Sequence, residues 1–173
     1  MTLLEISIGI VILLTGILGF AQTMVMLERG HGRNREIGRA TQAARQMLER
    51  IQAEAFAEAF RSFNGDPADD PGGPGTAIGK DFAVAGLSAR EGDPDGLPGE
   101  VIFPTPAGQP GALMENVVDS RLGTPRDLNG DGVISTTANY ASTYTILPVR
   151  VRIRWTGPSG PGEVELRTMV GNF

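Results

Sequence analysis

Apolar residues run almost without interruption from Ile6 to Leu27, and Glu5 is the single charged residue at the mouth of the run. About 20 apolar residues cross a bilayer core of about 30 Å as a helix, so the pattern predicts a membrane-spanning or equivalently buried rod. A carboxylate at its end is unfavourable, by roughly 2.5–3.5 kcal/mol at mid-membrane and by less near the ends, and this points to a residue with a partner. The plainer role for Glu5 is to complement the positive end of the helix dipole, for about 0.3–1 kcal/mol. Gly9, Gly16 and Gly19 offer small surfaces where neighbouring helices can approach. The run ends at Glu28-Arg29-Gly30-His31-Gly32-Arg33. Glycine costs a helix about 1 kcal/mol relative to alanine, so Gly30 and Gly32 are expected to form a hinge or a frayed turn.

From Arg33 to about Phe63 the period changes. Ile37, Ala40, Ala44, Met47, Leu48, Ile51, Ala55, Ala59 and Phe60 recur at steps of three and four, while Arg39, Arg45, Glu49, Arg50, Glu54 and Glu58 take the other face. This predicts an amphipathic helix with one side on a sheet. A coiled-coil dimer is the weaker reading, for want of a tight Leu or Ile seam. Asn64 to Lys80 is rich in Gly, Pro and Asp and cannot continue the helix. Short strands are predicted at Phe82–Leu87 and Glu100–Phe103, separated by an acidic turn at Asp93-Pro94-Asp95-Gly96. The clearest strand signal is late. Val149, Val151, Ile153 and Trp155 alternate with Arg150, Arg152 and Arg154, and after a Gly/Pro turn the chain returns through Glu163–Val170 with Val164 and Leu166 facing inward. The arginine stripe is either a solvated sheet face, with Glu163 and Glu165 across the hairpin, or a contact surface for a neighbouring subunit. The chain therefore divides into a hydrophobic helix (1–29), an amphipathic continuation (30–63) and a β-rich head (64–173), an α+β arrangement.

Asp127-Leu128-Asn129-Gly130-Asp131-Gly132-Val133-Ile134 carries the D-x-N-x-D-G spacing of a calcium loop. Oxygens at alternate positions converge on one hard cation, and glycine permits the sharp turn. Asp127, Asn129 and Asp131 are expected to supply side chains and Val133 its carbonyl, with Ile134 turned inward as an anchor. The twelfth loop position is Ala138 instead of an acid, and no helices flank the loop, so this is not an EF-hand. Asp93, Asp95 and Asp119 are the candidates for further ligands, and the sequence does not choose among them. The rival reading is a surface turn without an ion, since Asp, Asn and Gly favour turns in any case.

Composition narrows the function classes. The net charge of −5 gives no basic field for nucleic acid. There is no cysteine, so no disulfide restrains the loops of an exported domain, and calcium would meet that need. The single histidine, His31, lies in a Gly- and Arg-rich junction, and no nucleophile–base pair or phosphate-cradling loop is present. An enzyme is not expected.

The segment Met1-Thr2-Leu3-Leu4-Glu5 followed by Ile6 to Leu27 resembles the mature N-terminus of type IV pilins and type II secretion pseudopilins. Family members usually begin with Phe where this chain has Met1. Ile12-Leu13-Leu14-Thr15-Gly16-Ile17-Leu18-Gly19 is also similar to minor pilins of the pilus-modification type. The resemblance covers about the first 55 residues and is only architectural beyond them. It implies a pilin-like fold, with a long N-terminal helix on a small antiparallel sheet. It further implies that a prepilin peptidase cuts a basic leader before Met1 and methylates the new amine. Glu5 would then pair with the α-amine of a neighbouring subunit, in a filament built from copies of the chain and related pilins. Before assembly the subunit would sit in the inner membrane, and afterwards in an extracellular or periplasmic filament. Relatives often carry Pro near position 22. Gln22 stands here, so Gly16 and Gly19 become the expected place for the helix to unwind in a filament. The disulfide that closes a C-terminal loop in many type IV pilins is missing, which places the chain nearer calcium-stabilised pseudopilins. The alternatives are a minor pilin or pseudopilin that primes or tips a short filament and, from a different class, a membrane-anchored periplasmic calcium-binding domain that never polymerises.

Overall fold

The computed structural model describes residues 2–172, with only the backbone of Arg29; the processing role expected of Met1 lies outside the described residues. One helix, α1, runs from Leu3 to Ala53, and a short α2 covers Phe56–Phe63. Four antiparallel strands follow: β1 (Asp81–Phe82), β2 (Gly99–Ile102), β3 (Ile146–Gly157) and β4 (Gly160–Gly171), in spatial order β1-β2-β3-β4. The fold is α+β, as the patterning predicts.

The expected hinge at Gly30 and Gly32 is not present in this chain, because α1 passes through Gly16, Gly19, Gly30 and Gly32 without a break. Two glycines, at about 1 kcal/mol each, are a small penalty inside a helix that is hydrogen-bonded on both sides. Gly32 has a packing role instead. The tip of the β3–β4 hairpin leans on it, and a Cβ there would stand 3.1 Å from Ser159 Oγ. The break falls at Glu54–Ala55, where both residues are extended and neither Gly nor Pro is present. Beyond it α2 changes direction and buries Ala59, Phe60 and Phe63 completely, while Ala55, predicted to face the core, is exposed. Tyr144 secures this corner. Its hydroxyl donates to the Phe56 carbonyl and accepts from the Phe60 N–H at 3.3 Å, and its ring tilts against Phe56 with centroids 4.8 Å apart.

The hairpin is the strongest strand element, as its alternation predicts. Val149, Val151 and Ile153 are fully buried and Trp155 nearly so, and the register pairs Val151 with Leu166 and Ile153 with Val164. Ala40, Ala44, Met47 and Ile51 of α1 pack on this face with Phe60, Phe63 and Leu147. The segment predicted as a strand over Phe82–Leu87 is strand only at Asp81–Phe82, because the chain turns from Val84 to Leu87 around Gly86 at φ +75°.

The arginine stripe on the other face is covered by carboxylates of the chain itself. Arg150, only 7% exposed, reaches Asp119 at 3.0 Å and Glu165 at 3.1 Å. Arg152 meets Glu100 at 2.6 Å, and Arg154 meets Asp93 at 3.5 Å. Of the sites expected from sequence, Asp119 and Asp93 therefore lie in this ion-paired layer, each with an arginine.

Candidate functional site

The first candidate site is the apolar half of α1. Apart from the hairpin tip resting on Gly32, the head covers the helix from Glu36 onward, and the apolar window near the N-terminus has none of its residues buried. From Leu3 to Leu27 the large apolar side chains remain open, from 88% exposed at Leu3 to 48% at Val25. Ile6–Leu27 spans about 33 Å at about 1.5 Å per residue, so this helix is long and apolar enough to cross a membrane. Its few hydroxyls bond back to the helix: Ser7 Oγ to the Leu4 carbonyl at 2.9 Å, Thr15 Oγ1 to Val11 at 2.7 Å, and Thr23 Oγ1 to Phe20 at 2.8 Å. With these hydroxyls satisfied internally, Gln22 is the polar side chain left on a surface that lipid or another apolar helix can otherwise cover.

Glu5 closes the N-terminus of this rod. The Thr2 N–H donates to Glu5 Oε2 at 2.9 Å, and the Glu5 N–H donates to Thr2 Oγ1 at 3.4 Å. This reciprocal capping box satisfies two of the helix's free N–H groups. The Thr2 hydroxyl also donates to Glu5 Oε2, at 3.5 Å, and the carboxylate retains acceptor capacity beyond these two bonds, because an ionised carboxylate offers about four lone-pair sites.

The second candidate is the loop around Asp127. Its oxygens are ordered by its own backbone. Asp127 accepts from the Gly130 N–H at 2.6 Å and the Gly132 N–H at 2.7 Å, Asn129 Oδ1 from Asp131 at 3.1 Å, and Asp131 Oδ1 from Val133 at 2.8 Å. Gly130 and Gly132 sit at φ +80° and +83°, which the turn requires of residues without a Cβ. The Gly132 amide, followed by that of Gly130, holds the Asp127 carboxyl below the usual range. Two carboxylates, one amide oxygen and one backbone carbonyl form an all-oxygen donor set suited to a hard cation, and they would fill four of the 6–8 positions that calcium takes. Water would supply the rest. Among the described residues, no three His, Cys, Asp or Glu gather closely enough to hold an ion by themselves. Ile134 does not turn inward but is 46% exposed, and the fully buried Leu128 anchors the loop in its place. The Leu128 carbonyl accepts from Thr145 at 2.7 Å and from Ile146 at 3.0 Å, at the start of β3.

Sequence reasoning missed the residue beneath this loop. Glu115 is fully buried, and its two oxygens accept from the Leu128 N–H at 2.8 Å and the Ser135 N–H at 2.7 Å, one at each end of the loop. The only local signal is a lone acid following Leu113-Met114, because its partners lie 13 and 20 residues downstream.

Asp93 and Asp95 line a third feature, a cleft of about 380 Å³ that Lys80, Asp81, Glu100 and Arg154 also border. Burial pushes the Asp81 carboxyl up, and the Leu97 amide holds that of Asp95 down. Lys80 neutralises part of this acidity, at 2.9 Å from Asp81 and 3.7 Å from Glu100. Comparisons with protein-family models, with curated proteins and with solved structures return no match.

Proposed function

We propose that the chain is a structural subunit of a type IV pilus-like filament, with a pilin-like fold and an inner-membrane stage before assembly. One observation carries the reading: the apolar half of α1 is bare of any intrachain cover, while the core is completed by the second half of α1, α2 and the head without it. Covering that rod with other helices removes apolar surface from water at about 25 cal/mol per Å². In lipid the same surface is already satisfied, so assembly needs a further element that favours the filament register. Glu5 supplies it by pairing with the α-amine of a neighbouring copy, since a carboxylate left unpaired in the bundle is penalised. Related pilin subunits and a prepilin peptidase are the implied partners. A minor pilin or pseudopilin of a secretion machine fits the same features.

Calcium belongs to this reading as a structural ion held by Asp127, Asn129, Asp131 and the Val133 carbonyl. When bound it would fix the long segment before β3, which no disulfide restrains. Calorimetric titration of the full chain with Ca²⁺ reads this part, and an absence of heat would remove it.

A second reading, a periplasmic domain that stays on its anchor, is favoured by the capping box, which already gives Glu5 a partner within its own chain. Inactivating the prepilin peptidase in cells separates the two. A filament subunit is expected to gain mass and remain in the membrane fraction; unchanged mass and location would favour the plain anchor.

A further inference from the structure

Among the described residues, Glu115 is a carboxylate with no Lys or Arg paired to it. It is fully buried, and none of the ion pairs among the described residues involves Glu115, Asp127 or Asp131. A buried charge is tolerated when backbone N–H groups solvate it, and Glu115 has two. These two amides belong to Leu128 and Ser135, which bracket Asn129, Asp131 and Val133. One side chain thus pins both feet of the loop. The Glu115 backbone contributes as well, its carbonyl accepting from the Arg126 N–H at 3.1 Å, just before Asp127.

We propose that Glu115 is the positioning residue of the cation loop, holding it in its ligand-presenting shape before any ion arrives and adding a third negative charge beneath it. The inference rests on the calcium reading above only for the identity of the ligand. Preorganisation lowers the ordering cost of binding. Groups one step behind the ligands typically change metal affinity by about 10–100-fold when removed. An exposed loop tethered only by its own turns would order on binding; this one is clamped from below.

The test uses the full chain in detergent micelles, with Ca²⁺ as the probe, comparing wild type, Glu115→Gln and Glu115→Asp. Glutamine keeps one acceptor but loses the charge and turns an N–H₂ toward an amide donor. Aspartate keeps the charge but falls one methylene short of spanning both feet. Hydrogen exchange of the Leu128 and Ser135 amides is followed in chelator, and calcium affinity by calorimetry. The expected result is at least a 10-fold weaker calcium Kd in both variants, with faster exchange at the two amides already in the metal-free state. Unchanged affinity together with unchanged exchange would overturn the proposal. If wild type takes no calcium but the variants still lose protection at Leu128 and Ser135, the holding role stands and the calcium reading falls. If Glu115→Gln does not fold, Glu115→Asp is read by the same two criteria.

Discussion

Replacing Glu5 by leucine is expected to leave the chain in the membrane and to abolish its entry into filaments. The first half follows from transfer energetics: removing a charge from the end of an apolar helix makes insertion easier. The second follows from register. On the filament reading, a bare apolar rod such as Leu3–Leu27 would slide against its copies at little cost, and a single charge pair near one end would select one stagger. The capping box complicates the reading, because Glu5→Leu also leaves the Thr2 N–H without its acceptor. That removes the N3 half of the capping box and loosens the first turn, although the Thr2 hydroxyl still accepts from the backbone N–H of residue 5. Glu5→Gln separates the two roles, since an amide oxygen can still accept from Thr2 but cannot pair with an amine as an ion. If the charge sets register, glutamine fails as leucine does; if glutamine assembles and leucine does not, Glu5 is only a cap. Filament yield in the lipid-free fraction, normalised to the membrane pool, is the measurement. Wild-type yield from Glu5→Leu would contradict the account.

The largest effect on the head is expected at Trp155. This ring is 1% exposed near the hairpin end of β3, and its Nε1 donates to Glu36 Oε2 at 3.0 Å, joining β3 to α1 where the head begins to cover the helix. Gly162 and Gly157 leave the room: a Cβ at Gly162 would run into the indole, and one at Gly157 into the Glu36 carboxylate. Truncating a buried aromatic to alanine costs about 3–5 kcal/mol. Stranding the buried Glu36 adds about 1–3 kcal/mol. Against a total stability of about 5–15 kcal/mol, Trp155→Ala should leave the head barely folded. Trp155→Phe retains much of the packing and should lose only the cost of the orphaned carboxylate. Urea unfolding followed by far-UV circular dichroism reads both variants, since replacing the chain's only tryptophan removes the fluorescence signal. A loss below about 1 kcal/mol for alanine would mean that the joint carries little of the core.

How far each feature was legible depended on the range of the interaction behind it. The apolar run and the β3–β4 hairpin follow from periodicity alone, so Val149 to Trp155 were placed correctly from alternation. The amphipathic face holds for Ala40, Ala44, Met47 and Ile51 and fails for Ile37 and Ala55, both of which are exposed. No Gly or Pro marks the break at Glu54; it arises because Phe60 and Phe63 reach the core only after a change of direction that Tyr144, 88 residues from Phe56, holds in place. The opposite error came at Gly30 and Gly32, where local propensity suggested a hinge but a 51-residue helix continued. The arginine stripe showed its alternation but not its covering, since Asp119 and Asp93 arrive from distant loops. In the loop around Asp127 the turn chemistry is readable from Asp127, Asn129 and Gly130. The clamp at Glu115 and the anchor at Leu128 are not, because both depend on contacts more than ten residues away.

The central claim is that Leu3–Leu27 comes to lie against other helices of the same kind outside the lipid. A photoreactive side chain placed in turn at positions across this segment, and activated in intact cells before membranes are separated from filaments, tests it most directly. The account predicts protein–protein adducts, at twice the chain mass and above, in the fraction free of phospholipid. Adducts to lipid alone, with every copy confined to the membrane, would contradict it.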